Sequence, residues 1–358
     1  MDRKTIAVIF GGCSTEYEVS LQSAYAVLRG LERWCGNGKE EEKRFEVIPI
    51  GITRKGDWYR YTGDYGKLQN ETWEQDPEEL IPVVISQSRT VKGMIELLGK
   101  PKVVKFDLAF PVLHGRNGED GTLQGVFELA GIPVVGCNTL SSALCMDKDR
   151  AHRLVENAGI LVPKAVTCRN TKKDRESLEE AVKELEYPLF VKPVRSGSSF
   201  GITKIYGKQE FLPAVERAFL YDEEIIIEEN VEGFEVGCAV LGKEELTTGR
   251  VDEIELTEGF FDYTEKYTLK TSRIHMPARI GEECEKRIQE TAVKIYKTLG
   301  CSGFARVDMF LKPTGEIVFN EVNTIPGFTD HSRYPNMMKG IGMTFEEILE
   351  RLIGVYLK

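Results

Sequence analysis

The hydrophobic positions in the first part of the chain fall in short continuous runs separated by polar, glycine-containing stretches. Residues 5–10 form one such run and end at Gly11-Gly12, a pattern typical of a buried parallel strand that leads into a loop and a helix. Apolar residues at helical spacing predict a helix at 20–31, and two further apolar stretches predict strands at 45–52 and 106–113. This alternation predicts an α/β unit over residues 1–140, with its functional loops at the carboxyl ends of the strands.

Two stretches without a clear pattern interrupt this first unit. The rest of the chain predicts two further structural units. Residues 36–43 are a charged loop, and 54–100 are a polar, irregular insertion with some strand character and no predicted role. Residues 141–227 predict helices at 146–158, 176–185 and 209–220, and strands at 165–168, 189–194 and 202–205. A strand at 223–229 is predicted across the boundary to the last unit. Residues 228–358 then predict strands at 235–242, 248–256, 304–311 and 316–321 and a final helix at 344–356. The predicted fold class is α/β, in part α+β.

Composition excludes some classes of partner. The net charge of −10 argues against nucleic acid, because a phosphate backbone requires a basic surface, although a local basic pocket for nucleotide phosphates stays compatible with it. No apolar run approaches the ~18 residues of a membrane span, and the first run is too short for a signal peptide. The eight cysteines include no C-x-x-C pair, so we expect mostly reduced thiols in a cytoplasmic protein.

Two predicted strands near the C-terminus carry a candidate metal site. Asp308 lies on one apolar strand, and Glu321 and Asn323 lie two residues apart on the next, after a turn at Pro313-Thr-Gly. Side chains two apart on a strand point to the same face, so the three oxygen-bearing groups can converge. Oxygen ligands without His or Cys suit Mg²⁺, which commonly completes its shell with substrate phosphates. The sequence therefore predicts an ATP–Mg²⁺ site on an antiparallel hairpin.

A glycine- and serine-rich loop is the candidate phosphate site. Residues 196–201, Ser-Gly-Ser-Ser-Phe-Gly, follow a strand that carries Lys192 near its end. Such a loop offers backbone N–H groups and hydroxyls to phosphate oxygens. Taken alone, it is equally compatible with a plain hairpin turn and a surface lysine. Together with the predicted metal site, the loop and Lys192 favour a phosphate-binding role over a plain turn.

Other candidates are weaker because each has an ordinary structural explanation. Lys148 begins a helix and could be a simple first-turn charge. Glu228 and Glu229 end an apolar strand, where they and Glu235 could bind an adenine amine and ribose hydroxyls, or simply meet solvent. The loop at 263–267 is aromatic and cationic, which suits either a lid or a surface loop.

Two loops of the first unit add a carboxylate and a histidine. Glu16 follows the first strand and suits an ammonium group rather than an anion. The loop lacks the G-x-G-x-x-G spacing, which excludes a nicotinamide dehydrogenase. His114 lies in a glycine-flanked loop at a strand end; a lone histidine is more often structural, but this one is well placed for a site.

Together these motifs resemble those of the D-alanine–D-alanine ligases, a family with the ATP-grasp fold. The resemblance spans nearly the whole chain and implies three domains, with ATP and two Mg²⁺ ions, or Mn²⁺ in their place, between the second and third. It implies ATP contacts at Lys148, Lys192, Ser199, Glu228, Glu229, Val231 and Glu235. It implies metal ligands at Asp308, Glu321 and Asn323, and catalytic roles for Glu16, Ser198, Lys266, Tyr267, Arg306 and Gly327.

The resemblance also implies a reaction. The carboxylate of D-alanine attacks the γ-phosphorus of ATP, and the amine of a second D-amino acid then attacks the acyl phosphate. Glu16 would hold the first ammonium, while Arg306 and the Gly327 backbone would stabilise the oxyanion. Lys266 and Tyr267 would close a lid that excludes water. A homodimer is the expectation from the family.

Within the family, the chain resembles the VanG-type vancomycin-resistance branch, which joins D-alanine to D-serine. Arg333 stands where alanine-using members have an apolar residue, and its guanidinium could bond a serine hydroxyl. The predicted second-substrate pocket comprises His114, Asp252, Phe261, Ser332 and Arg333. One alternative is a D-alanine–D-alanine ligase of cell-wall synthesis. A second alternative, from another class, is a nucleotide-binding regulatory protein without catalysis.

Overall fold

A computed structural model describes residues 3–34, 45–197, 200–256 and 272–357. The charged loop at 36–43 lies outside the described residues. The same holds for the predicted site residues Ser198, Ser199, Phe261, Lys266 and Tyr267.

The first unit is built on a seven-stranded sheet in the order β6-β5-β4-β3-β2-β1-β7. Its strands are β1 (Lys4–Gly11), β2 (Phe45–Ile52), β3 (Trp58–Tyr61), β4 (Leu80–Ile85), β5 (Gly93–Glu96), β6 (Lys102–Lys105) and β7 (Leu108–Pro111). β1 pairs in parallel with both β2 and β7, as its continuous apolar run predicts. The insertion at 54–100 is more regular than predicted, because it adds β3, β4 and β5 as antiparallel strands, with β6 beyond them.

Four helices accompany this sheet or lead away from it: α1 (Tyr17–Trp34), α2 (Gly66–Gln69), α3 (Thr122–Ala130) and α4 (Thr139–Met146). α1 begins three residues before the predicted start and buries one side against β1. The sequence analysis did not predict α3 or α4. α4 begins at the Asn138 cap, whose side chain accepts a bond from the Ser141 N–H.

The second unit has a four-stranded antiparallel sheet in the order β10-β9-β11-β8. Its elements are α5 (Lys148–Asn157), β8 (Ala165–Arg169), α6 (Lys172–Ala181), β9 (Leu189–Pro193), β10 (Thr203–Ile205), α7 (Lys208–Phe219) and β11 (Glu224–Glu229). The predicted phosphate loop connects β9 to β10. β11 crosses the predicted boundary at 227, which stays a prediction.

The third unit has a five-stranded antiparallel sheet in the order β14-β13-β12-β15-β16. Its elements are β12 (Phe234–Gly242), β13 (Leu246–Leu256), β14 (Ser272–His275), α8 (Glu282–Thr298), β15 (Gly303–Leu311), β16 (Ile317–Asn323), α9 (Arg333–Lys339) and α10 (Phe345–Tyr356). The sequence analysis did not predict α8 or α9.

The main hydrophobic core joins the first and third units. Side chains of α1 and β1 share one buried cluster with residues of α9 and α10. At its centre Phe304, Phe328 and Tyr334 pack ring against ring, with centroids 5.5–5.8 Å apart. None of the helices in the described part of the chain is long and apolar enough to span a membrane.

Candidate active site

The predicted metal residues face one another across two paired strands. Asp308 on β15 lies opposite Glu321 on β16, and Arg306 lies opposite Asn323. Asp308 is 1% exposed, and its Oδ2 accepts a 2.8 Å bond from Asn323 Nδ2. The hairpin turn between these strands closes as predicted, with the Lys312 N–H bonded to the Glu316 carbonyl at 2.9 Å.

Arg306 neutralises part of this site. Its Nε donates to both Asp308 oxygens at 2.8 and 3.1 Å, and its Nη2 donates to Oδ2 at 2.7 Å. Burial lowers the pKa of Arg306, but the carboxylates of Asp308 and Asp252 together raise it above its ordinary value. Arg306 is therefore fixed as a cation beside the metal residues.

The donor chemistry fits a magnesium ion. The convergent groups are two carboxylates and one amide, all of them hard oxygen donors. The amide nitrogen of Asn323 is the atom bonded to Asp308, so its amide oxygen is the atom that can ligate a cation. Such a small protein ligand set leaves coordination positions for phosphate oxygens.

A cavity of about 540 Å³ lies between the second and third sheets, next to these strands. It is of the size expected for a nucleotide or drug-sized ligand. Among the predicted site residues, its wall contains Lys148, Lys192, Glu228, Glu229, Val231, Glu235 and Glu321. Asn320 and the apolar side chains of Phe190 and Ile202 also line it. The structure therefore gathers the predicted ATP residues that it describes around one cavity.

Two lysines bring positive charge to this cavity. Lys148 Nζ donates to the Ser196 carbonyl at 2.7 Å and lies 4.0 Å from Glu321 Oε2. Lys192 Nζ donates to Glu228 Oε2 at 2.6 Å. Burial raises the pKa of Glu228, but Lys192, His152 and Lys148 together outweigh burial, so the net shift is downward.

His152 is a polar neighbour of the cavity that sequence reasoning missed. Its Nδ1 lies 3.7 Å from Glu228 Oε1, and neither atom has a hydrogen-bond partner. Its Nε2 bonds the Asn320 carbonyl at 2.8 Å, which connects α5 to β16. The available signal was its spacing four residues after Lys148, which places both on the same helix face.

Glu16 lies where two glycine-containing loops meet. A Cβ added to Gly115 or Gly197 would come within 2.4 or 2.9 Å of Glu16 Oε2. Both glycines therefore approach the Glu16 carboxylate closely, and Gly115 also has a positive φ of 71°, which favours glycine. This close approach brings the predicted ammonium-binding carboxylate to the base of the predicted phosphate loop.

The described contacts of His114 are with protein atoms, whereas the sequence predicted a contact with the substrate. Its Nδ1 bonds the Ile325 carbonyl at 2.7 Å, and its Nε2 lies 3.0 Å from Ser23 Oγ. Burial lowers its pKa. Because both ring nitrogens have protein partners, His114 ties the β7 loop to the loop after β16. A direct substrate contact stays a prediction.

Glu119 is a second residue that sequence reasoning missed. Its Oε2 accepts a 2.9 Å bond from the Gly115 N–H, and its Oε1 accepts a 2.8 Å bond from the Ile325 N–H. Burial, reinforced by the charge of Glu16, raises its pKa to about 8. The signal was a carboxylate within the glycine-flanked loop that follows His114.

Arg333 lies inside a group of carboxylates. Its Nε and Nη2 bond the two oxygens of Asp252 at 2.7 and 2.8 Å, and its Nη1 lies 3.2 Å from Glu235 Oε1. Its Nη2 is also 3.4 Å from Asp308 Oδ1. Asp252 is 0% exposed and accepts the Gly237 N–H as well. The guanidinium thus links the predicted serine pocket to the metal residues, an arrangement that the sequence analysis did not predict.

The loop after β16 holds the remaining predicted residues. Ser332 Oγ bonds the Thr329 N–H at 3.0 Å and Thr329 Oγ1 at 2.8 Å, so its hydroxyl braces the turn before α9. A Cβ on Gly327 would lie 3.1 Å from the same Oγ. Gly327 therefore approaches Ser332 closely.

Comparison with known proteins identifies relatives along the whole chain. The family described as D-ala D-ala ligase N-terminus matches residues 5–137, and D-ala D-ala ligase C-terminus matches 154–354. The crystal structure of VanG D-Ala:D-Ser ligase from Enterococcus faecalis is 65% identical, with a TM-score of 0.91, and covers 99% of this chain and 100% of that chain.

Curated relatives are more distant but also match along their full length. Vancomycin C-type resistance protein VanC1 of Enterococcus gallinarum is 40% identical over 98% of both chains. A D-alanine–D-alanine ligase of Caldicellulosiruptor bescii is 41% identical over 99% of this chain and 95% of its own length.

Proposed function

Because the chain belongs to the D-alanine–D-alanine ligase family and is an ATP-dependent, ADP-forming D-amino acid ligase, we propose that its second substrate is D-serine. The product would be D-alanyl-D-serine, a peptidoglycan precursor dipeptide that implies vancomycin resistance. The observation that carries the proposal is Arg333, held by Asp252 beside the metal residues. The 65% identity to a D-Ala:D-Ser ligase supports it.

ATP would bind in the cavity between the second and third sheets. The adenine and ribose would lie near Glu228, Val231 and Glu235, and the phosphates near Lys148 and Lys192. Ser199 and Glu229 are further proposed contacts. Asp308, Glu321 and Asn323 would hold Mg²⁺, which would neutralise the charge that develops on the transferred phosphoryl group.

The first half-reaction would form an acyl phosphate. Glu16 would pair with the ammonium of D-alanine and direct its carboxylate toward the γ-phosphorus. One carboxylate oxygen forms the new P–O bond while the bond to ADP breaks. Positioning and electrostatics suffice for this step, because phosphoryl transfer requires little covalent help from the protein.

The second half-reaction would form the peptide bond. The amine of the second amino acid attacks the acyl carbon, loses a proton and displaces inorganic phosphate. Arg306, together with the Gly327 backbone, would stabilise the oxyanion that forms on the way. Ser198, Lys266 and Tyr267 stay predictions for closing the site.

Specificity would depend on a hydroxyl contact to Arg333. Asp252 bonds two guanidinium nitrogens and so fixes the orientation of the whole group. A guanidinium has five N–H donors, so a hydroxyl contact to one of them would favour the substrate that can make it over the analogue that lacks it. D-alanine lacks that hydroxyl.

The test is a competition assay. The enzyme is incubated with ATP, Mg²⁺ and equimolar D-alanine and D-serine, and the dipeptides are quantified by mass spectrometry. We expect D-alanyl-D-serine to dominate. A product that is mostly D-alanyl-D-alanine would reject the serine assignment and support the alternative, a D-alanine–D-alanine ligase of cell-wall synthesis. The relative from Caldicellulosiruptor bescii is a D-alanine–D-alanine ligase by its name.

We also propose a cytoplasmic homodimer. Two leucines on adjacent helices support a self-association surface: Leu129 on α3 is 64% exposed and Leu140 on α4 is 68% exposed. Sedimentation equilibrium of the purified protein tests the dimer, and a monomer at micromolar concentration would reject it.

A further inference from the structure

A group of paired charged side chains lies next in sequence to Lys148 and to the first residues of the β9–β10 loop. This group, the anchor cluster, consists of Asp147, Arg150, Arg195, Asp222 and Glu224. Its residues come from three separate places: the start of α5, the residues after β9 and the start of β11. None of them lines the cavity described above.

Asp222 fixes the residue that begins the loop. Its Oδ2 accepts the Arg195 backbone N–H at 2.7 Å, and its two oxygens accept Arg195 Nε at 3.2 Å and Nη2 at 2.7 Å. The Asp222 side chain is 7% exposed. A bidentate pair with an added backbone bond sets both the side chain and the main chain of Arg195.

Asp147 and Arg150 fix the start of α5 to the same place. Asp147 caps the helix by accepting the Arg150 N–H at 3.0 Å, and it also accepts Arg150 Nη1 at 2.6 Å. Arg150 Nη1 in turn lies 3.2 Å from Glu224 Oε2. The helix start is therefore tied to β11.

The start of α5 and the residues after β9 are both connected to Lys148. Lys148 directly follows Asp147, and its N–H bonds the Val194 carbonyl at 3.2 Å. Ser196 directly follows Arg195, and its carbonyl accepts Lys148 Nζ at 2.7 Å. Fixing Arg195 therefore fixes the carbonyl that orients the Lys148 ammonium.

The charges of the cluster balance, which argues for a geometric role. Its three carboxylates face Arg150 and Arg195, and Arg169 adds a third guanidinium 3.3 Å from Glu224. A balanced group gives little long-range attraction for ATP, so any effect on ATP must act through position.

We propose that Asp222 and Arg195 are positioning residues for ATP, which hold the Lys148 ammonium toward the nucleotide phosphates. The proposal rests on the proposed function of the same cavity. It assigns a role to two residues that contact neither the cavity nor the metal residues. It deepens the proposed function because it says how the phosphate lysine is held.

The test measures binding of AMPPNP with Mg²⁺ by calorimetry, so that it does not depend on turnover. Asp222→Ala removes the anchor, and Arg195→Lys keeps the charge but loses the bidentate geometry. The matched control is Glu216→Ala, which breaks a 2.5 Å pair with Arg175 elsewhere in the same unit. We expect Kd to rise about tenfold for both anchor variants and to stay within about twofold for the control.

Two further readouts separate positioning from a general loss of structure. In the anchor variants the KM for ATP should rise while the KM for D-alanine stays within about twofold. Asp222→Asn keeps one acceptor oxygen, so it should bind AMPPNP more tightly than Asp222→Ala does. In a Lys148→Ala background, Asp222→Ala should have little further effect on Kd.

Two results would overturn the proposal. In the first, the anchor variants bind AMPPNP with the wild-type Kd. In the second, Asp222→Ala raises Kd as much in the Lys148→Ala background as it does in the wild type. Failure of the proposed function would look different. In that case the wild-type chain would bind AMPPNP but form mostly D-alanyl-D-alanine in the competition assay.

Discussion

At the scale of single residues, the site is decided by which polar groups are paired. Arg333 has three carboxylate neighbours, so its charge is needed whether or not a substrate is present. Glu119 and His114 use their polar atoms to join two loops. These residues serve the site and the fold together, which makes single substitutions informative only with a stability control.

Replacing Arg333 tests both roles. Arg333→Leu should shift the product ratio toward D-alanyl-D-alanine. It should also lower the free energy of unfolding by about 3–5 kcal/mol, because Asp252 loses its buried partner. Competition assays and urea unfolding measure the two effects, and Asp252→Asn with Arg333→Leu should recover part of the stability. An unchanged product ratio in a folded variant would refute the pocket assignment.

The raised pKa of Glu119 predicts that the free energy of unfolding depends on pH. Its pKa is raised to about 8 in the folded state, so the folded protein keeps a proton that the unfolded chain releases near the ordinary value of 4.5. The stabilisation is complete below that ordinary value and is lost as pH rises through about 8.

Urea unfolding from about pH 5 to about pH 9 measures this dependence. The fall in the free energy of unfolding over this interval should be smaller in Glu119→Gln than in the wild type. Equal slopes for the two proteins would contradict the assignment.

At the scale of elements, the 54–100 insertion supports the start of α1. Trp73 is completely buried, and its Nε1 donates to Tyr17 Oη at 2.8 Å. Tyr17 also donates to Glu74, and it directly follows Glu16. The insertion therefore braces the residue next to the proposed ammonium site.

Removing this brace should destabilise the first unit. Trp73→Ala should cost about 3–5 kcal/mol of unfolding free energy, since a large buried ring is lost. Trp73→Phe keeps most of the ring volume and loses the N–H bond, so it should cost less. Chemical denaturation measures both, and equal losses would show that the hydrogen bond, rather than packing, dominates.

At the scale of the whole molecule, α10 packs on α1 although more than 300 residues separate them. A Cβ on Gly30 of α1 would lie 2.6 Å from Leu349 and 2.8 Å from Phe345. A Cβ on Gly354, within α10 itself, would meet nothing within 4 Å. The two helical glycines thus differ only in their surroundings.

The same substitution at these glycines should have opposite effects. Gly354→Ala should raise the free energy of unfolding by about 1 kcal/mol through helix propensity. Gly30→Ala has the same propensity gain but overpacks the shared core, which costs about 1–3 kcal/mol, so its net effect should be a loss. Thermal unfolding measures both; a stabilised Gly30→Ala would mean that the two helices can separate.

Local pattern was enough for part of this molecule. The buried parallel strand β1, the β15–β16 hairpin and the convergence of Asp308 with Glu321 and Asn323 all follow from residue spacing, because strand geometry fixes which side chains share a face. Family motifs added the ligase activity. α3, α4, α8 and α9 were missed, although α3 and α8 present buried stripes at helical spacing.

What only the tertiary structure decided is the pairing of groups far apart in sequence. Arg333 meets Asp252 across 81 residues, His114 meets Ile325 across 211, and Arg195 meets Asp222, which lies just before β11. No local rule predicts these contacts, since each depends on how elements distant in the sequence pack against one another. The sequence by itself therefore determined the chemistry available to the site, and the tertiary packing of strands, helices and loops decided which charges neutralise one another and which can face a substrate.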